Sequence, residues 1–228
     1  MTQQIILLHG ALGSAEEMEP LAEMLKANFE VRSFTFEGHD KRQSAKSFTM
    51  DSLAEQLRVY IEQEQLAPAA LFGFSMGGYV ATWLAFEHPE LVKQIITLGT
   101  KWQWNAEEAK QESKKLDPEK IKEKVPKFGQ YLQKLHGENW PQLMQHTAAM
   151  MVDLGTKPRL GEKEFNKIDI PISVLLGEND DMVSLSESEN AVTQLPNAKL
   201  EILAGQPHPI ARIDSSLLAE RIRHHIQE

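Results

Sequence analysis

Ala69-Ala70-Leu71-Phe72-Gly73-Phe74-Ser75-Met76-Gly77-Gly78 decides the reading of this chain. Pro68 precedes it, and its first six residues form an apolar run of the length a buried strand needs. From Met76 to His88 the pattern becomes helical, and Pro89 stops it. Ser75 therefore stands on a strand-to-helix turn with Gly73 and Gly77 two residues to either side. That is the Gly-x-Ser-x-Gly turn, which lifts a serine hydroxyl clear of a sheet edge on a strained backbone. The glycines let strand and helix approach without Cβ clashes. The N-terminus of the following helix offers partial positive charge to an oxyanion.

Outward from this turn, short apolar runs alternate with amphipathic stretches. Ile5-Ile6-Leu7-Leu8, Glu30 to Phe36, Gln94 to Leu98, Ile172 to Leu176 and Lys199 to Leu203 read as further strands. Glu16 to Asn28, Met50 to Gln65, Ser186 to Gln194 and Asp214 to Gln227 read as helices. Continuous apolar strands between helices predict a parallel sheet covered on both faces, a six-stranded doubly wound α/β fold. The alternation stops between Gly99 and Asp169. Four helical, charged segments fill that gap: Glu107 to Leu116, Pro118 to Lys124, Lys127 to Leu135 and Trp140 to Leu154. Residues 101–167 carry 13 Lys/Arg and 10 Asp/Glu, a net charge of +3, against −12 for the remainder. The expected organisation is a core of residues 1–99 and 169–228 with a helical lid inserted at 100–168.

A serine nucleophile needs a base, and the base needs an orienting carboxylate. After the fifth strand stands Gly177-Glu178-Asn179-Asp180-Asp181, where Asp180 is the first candidate acid and Asp181 the alternate. After the sixth stands Gly205-Gln206-Pro207-His208-Pro209, and His208 is the candidate base. Each of Ser75, Asp180 and His208 falls at the C-terminal end of a different strand, the edge where open α/β sheets bind ligands. After the first strand, His9-Gly10-Ala11-Leu12-Gly13 forms a loop that can aim a backbone N–H at a developing oxyanion. Ala11 is the preferred donor and Leu12 the second, beside the N–H of Met76; His9 is expected to brace the loop. Leu12, Tyr79, Trp102 and Trp104 are the candidate substrate contacts. With Trp140, Met144, Met150 and Met151 the two tryptophans could line an adaptable apolar pocket or form the lid's own packing.

These motifs together resemble the α/β-hydrolase superfamily. Within it the chain is similar to a small bacterial branch of esterases that includes pimeloyl-ester esterases and menaquinone-pathway synthases. The resemblance rests on His9 to Ser14, Glu37-Gly38-His39-Asp40, Gly73 to Gly78 and His88-Pro89-Glu90. It implies the strand order 2-1-3-4-5-6 and a small-molecule ester or thioester cleaved through an acyl-enzyme, without cofactor or metal. Two other readings remain. One is a lyase using the same residues as a base, although that family carries an arginine where this chain has Tyr79; Lys101 or Arg159 would then supply charge from the lid. The other is a non-catalytic binding module.

Composition bounds the alternatives. The chain has 228 residues, 41% hydrophobic and 25% charged, which excludes intrinsic disorder. It has no cysteine, so there is no disulfide framework, thiolate metal site or cysteine nucleophile. A net charge of −9 argues against non-specific nucleic-acid binding. The start, Met1-Thr2-Gln3-Gln4 and four apolar residues, lacks the basic and apolar regions of a signal peptide. No run approaches the roughly 20 apolar residues of a membrane helix. A cytoplasmic protein without membrane partners is the expectation.

Overall fold

The computed structural model describes residues 3–41 and 48–227, so the reading of Met1 and Thr2 falls outside it. Six strands form one sheet: β1 (Gln4–Leu8), β2 (Glu30–Phe34), β3 (Ala69–Phe74), β4 (Val92–Leu98), β5 (Ile172–Asn179) and β6 (Ala198–Pro207). All pair in parallel, in the order β2-β1-β3-β4-β5-β6 that the resemblance implies.

Helices α1 (Ala15–Leu25) and α10 (Ser215–Gln227) cover one face of the sheet; α2 (Met50–Gln63), α3 (Met76–Glu87) and α9 (Leu185–Gln194) cover the other. Successive strand residues alternate between the two cores. Ile5, Leu7, Phe72 and Leu175 face α1 and α10, whereas Ile6, Leu8, Leu71 and Val174 face α2 and α3. This two-sided burial is why the strands read as unbroken apolar runs. Ser14 caps α1 with Glu17 in a capping box, and Thr49 caps α2 with Ser52.

Between β4 and β5 lie the inserted helices α4 (Ala106–Ser113), α5 (Pro118–Lys124), α6 (Pro126–His136), α7 (Trp140–Thr156) and α8 (Glu162–Phe165). α4 ends before the expected Leu116, β6 runs four residues past the expected Leu203, and α8 is an element the periodicity does not mark. Leu132, Trp140 and Met144 form a small cluster within the insertion. Leu143, Met150 and Leu154 of α7 join the core beneath instead. No helix among the described residues is long and apolar enough to cross a membrane.

Candidate active site

Ser75 joins β3 to α3 at φ 49° and ψ −114°. A non-glycine residue there stores about 1–3 kcal/mol of strain, which the surrounding packing must hold. A Cβ on Gly73 would lie 2.4 Å from the Gly78 nitrogen, and one on Gly77 would lie 2.6 Å from the Leu8 carbonyl oxygen. Only glycines allow this turn. The Ser75 N–H donates to the Leu98 carbonyl at 2.8 Å, and the Thr100 hydroxyl donates to the Ser75 carbonyl at 3.2 Å. The backbone of Ser75 is thus tied to the end of β4. Met76 opens α3, so its N–H has no acceptor within the helix.

Asp180 follows β5, and His208 follows β6. The two meet at 2.7 Å between His208 Nδ1 and Asp180 Oδ2, with both side chains buried. A carboxylate only accepts, so Nδ1 carries the proton, and in the neutral ring Nε2 then keeps its lone pair. The other Asp180 oxygen accepts from the N–H groups of Met182 and Val183 at 2.9 and 2.8 Å. Burial alone would raise the Asp180 carboxyl; its bonds to His208, Met182 and Val183 outweigh that and hold it below the ordinary value. Asp181 is exposed, and the hydrogen bond to His208 comes from Asp180.

The pair sits against the serine turn. Gly99 follows Leu98 at φ 56°, and a Cβ on it would lie 2.9 Å from Asp180 Oδ2 and 3.1 Å from His208 Nδ1. Phe74 packs its ring 5.2 Å from that of His208. Among the described residues no hydrogen bond joins the Ser75 hydroxyl to His208. Such bonds commonly tighten only when substrate is bound.

The loop after β1 is a closed turn in which the Gly13 N–H donates to the Gly10 carbonyl at 3.1 Å. Leu12 lies at φ 60° and Ala11 does not share that sign, which makes the turn type II. His9 is fully buried. Its Nε2 accepts from the Phe36 N–H at 3.2 Å, so Nδ1 is protonated and donates to the Gly10 carbonyl at 2.7 Å. Burial lowers its pKa to about 4. With its carbonyl engaged twice, the Gly10–Ala11 peptide directs the Ala11 N–H the opposite way.

A cleft enclosing about 460 Å³, open solvent at its mouth included, lies over Ser75. Ala11, Ser75, Met76, Tyr79 and Trp104 border it. Five of the chain's nine methionines line it, Met50, Met76, Met150, Met151 and Met182. Leu12 and Trp102 do not. Leu12 packs toward the Leu132 cluster, and Trp102 is buried edge-on against Phe165. Trp140 and Met144 belong to the insertion's own packing.

Tyr79 borders the cleft but its hydroxyl is engaged: it accepts from the N–H groups of Arg159 and Leu160 at 3.1 and 3.0 Å. Burial pushes its pKa up to about 12. Arg159 is paired with Asp51 and Asp153, each at 2.7 Å. Lys101, on the cleft wall, is paired with Glu108 at 2.8 Å and Glu187 at 3.4 Å. Sequence reasoning missed Met50, Glu112 and Met182. They come from three separate elements, and no spacing links them.

A family profile described as alpha/beta hydrolase fold matches residues 4–139. Ethanol acetyltransferase 1 of Cyberlindnera jadinii is 27% identical over 99 residues, 42% of this chain and 30% of that protein. The pimeloyl-[acyl-carrier protein] methyl ester esterase of Citrobacter koseri is 28% identical over 105 residues, 46% of this chain and 40% of that one. Each match thus spans less than half of the relative's own length. Among solved structures, MenH from S. aureus superposes with a TM-score of 0.79 at 19% identity, covering 100% of this chain and 94% of that one. At that identity the likeness is one of fold.

Proposed function

The chain belongs to the alpha/beta hydrolase fold family, and from that premise we propose that it is a serine hydrolase cleaving a small carboxylic ester or thioester. The observation that carries this reading is the 2.7 Å bond between buried His208 and Asp180, packed against the strained turn that presents Ser75. His208 Nε2 takes the Ser75 proton as the hydroxyl oxygen attacks the substrate carbonyl. Asp180 holds the ring in the tautomer that leaves Nε2 free, and it stabilises the imidazolium. The N–H groups of Ala11 and Met76 stabilise the oxyanion. The leaving group takes the proton back from His208, and water repeats the sequence on the acyl-enzyme to release the acid. The methionine-lined cleft suits an apolar acyl group, because thioether side chains repack around chains of varied shape.

The lyase reading loses support from the charges around the cleft. Lys101 and Arg159 are each paired with two carboxylates, so neither offers net positive charge to an anionic substrate. The binding-module reading gives no reason for a buried imidazole hydrogen-bonded to a carboxylate beside a strained serine.

Turnover of a short p-nitrophenyl ester tests the reading. Ser75→Ala and His208→Ala are each expected to lose about 10⁴-fold in kcat or more. Ser75→Ala should also abolish labelling by a fluorophosphonate probe. Parental turnover in Ser75→Ala would remove Ser75 as nucleophile.

A further inference from the structure

The site includes a contact from the insertion that the hydrolytic reading does not use. His136 ends α6 and is fully buried. Its Nδ1 accepts from the backbone N–H of Asp40 at 2.8 Å. A backbone N–H only donates, so the proton is on Nε2, which donates to the Leu12 carbonyl at 2.8 Å. One imidazole therefore bridges two core loops, the loop after β2 and the turn beside Ser75. Both residues it holds are non-glycine residues with positive φ: Leu12 at 60° and Asp40 at 62°.

The strain of a left-handed leucine must be held by what surrounds the turn. A type II turn favours glycine at its third position, and Leu12 occupies it. His9 fixes only the peptide before Ala11, through the Gly10 carbonyl. His136 fixes the peptide after Leu12, through the Leu12 carbonyl, so the strained turn is held on both sides, by His9 from the core and by His136 from the insertion.

We propose that His136 is a positioning residue: seated on the core by the insertion, it anchors the Gly10–Gly13 turn from the Leu12 side and so keeps the Ala11 N–H of that turn in place beside the Ser75 cleft. This rests on the hydrolytic reading of Ser75. It makes the oxyanion site depend on the inserted helices being docked, because α6 supplies the bond.

The test compares His136→Phe, His136→Ala and His136→Gln with the parent on a short p-nitrophenyl ester, with rates counted per site titrated by a fluorophosphonate. Phenylalanine keeps the ring without either bond. Glutamine restores one donor and one acceptor. His136→Phe and His136→Ala are expected to lose about 10-fold or more in kcat with KM within about twofold, a fraction of the loss for removing a whole oxyanion donor. His136→Gln is expected to recover most of it. Parental kcat per site in His136→Phe, or an equal loss in His136→Gln, overturns the proposal. Should the disruptive variants not fold, the parent protein decides. Phosphonylation of Ser75 should move the Ala11 amide nitrogen resonance and the His136 Nε2 resonance together, and a static His136 signal beside a shifted Ala11 overturns the proposal. Ser75→Ala in the same assay separates the two claims. If it is inactive while His136→Phe is parental, positioning alone fails; if Ser75→Ala turns over, the hydrolytic reading fails and this inference with it.

Discussion

Gly99 gives the sharpest test of the Asp180–His208 pair, because two independent penalties meet at one residue. In Gly99→Ala the backbone must keep φ at 56°, a left-handed conformation that costs alanine about 1 kcal/mol more than glycine. The new methyl would also lie 2.9 Å from Asp180 Oδ2 and 3.1 Å from His208 Nδ1, too close to be tolerated unmoved. Asp180 cannot simply retreat, since its other oxygen is held by the N–H groups of Met182 and Val183. A displacement of a few tenths of an ångström must therefore fall on the pair itself. A misplacement of 1 Å in such a constellation costs roughly 100-fold, so about 10-fold in kcat is expected here. Gly205 supplies the control. It has φ 69°, and a Cβ there meets nothing within 4 Å. Gly205→Ala should share the backbone penalty, a fall in Tm of about 2–4 °C, and leave kcat unchanged. Thermal unfolding and ester turnover on both variants decide. Parental kcat in Gly99→Ala, or an equal loss of kcat in Gly205→Ala, would refute the reasoning.

Three further outcomes are expected. Tyr79→Phe leaves the buried N–H groups of Arg159 and Leu160 without their acceptor; at about 1–3 kcal/mol each for an unsatisfied donor, Tm should drop by several degrees at least, and an unchanged Tm would show those amides re-paired. Acid should destabilise the fold from about pH 6.5 downward. His9 is held neutral to about pH 4, so the unfolded chain binds protons that the folded one refuses, and stability present above pH 6.5 is lost on the way down, by up to about 3 kcal/mol for His9 alone. His39 and His136 are shifted down in the same sense by burial. His39 is buried and burial holds its imidazole well below the ordinary value, so His39→Leu should flatten that acid limb in a plot of Tm against pH, and an unchanged slope would exclude His39 from it. Met150→Ala should shift the preferred p-nitrophenyl ester toward longer acyl chains in a chain-length series of kcat/KM, and an unmoved optimum would place the acyl group elsewhere in the cleft.

What was legible in the sequence was legible for a local reason. Strand β3 and its turn are specified by contiguous residues, since Gly73 and Gly77 sit where any Cβ would strike backbone. Asp180 and His208 could be named because each follows a strand whose apolar run marks its end, and the sheet order brings β5 and β6 side by side. The cleft wall was not legible in the same way. Trp102 and Trp104 are two residues apart, yet one packs against Phe165 and the other borders the cleft. Composition cannot separate them, because a tryptophan serves either surface equally well. His136 gave no signal at all: its role depends on backbone groups of residues 12 and 40, which carry no side-chain pattern.

The inserted helices meet the core through polar contacts at their entry, middle and exit, and the chemistry of these contacts differs in a way that bears on movement. At the entry, the buried carboxylate of Glu187 accepts from the N–H groups of Trp102 and Gln103 at 2.7 and 2.6 Å. At the exit, the Tyr79 hydroxyl accepts from two amides and Arg159 is paired with Asp51 and Asp153. Breaking either end strands buried donors, which is costly. In the middle, α6 contributes the His136 imidazole and the Tyr131 hydroxyl, which donates to Glu17 at 2.6 Å, an exposed bond that water replaces more cheaply than those at either end. If the insertion opens to admit substrate, the stretch carrying α5 and α6 is the part whose release costs least. Opening there would withdraw His136 from Leu12 while leaving the Asp180–His208 pair intact. Hydrogen exchange should therefore protect the amides of residues 102, 103, 159 and 160 more than those of α6; uniform protection across the insertion would contradict this ranking.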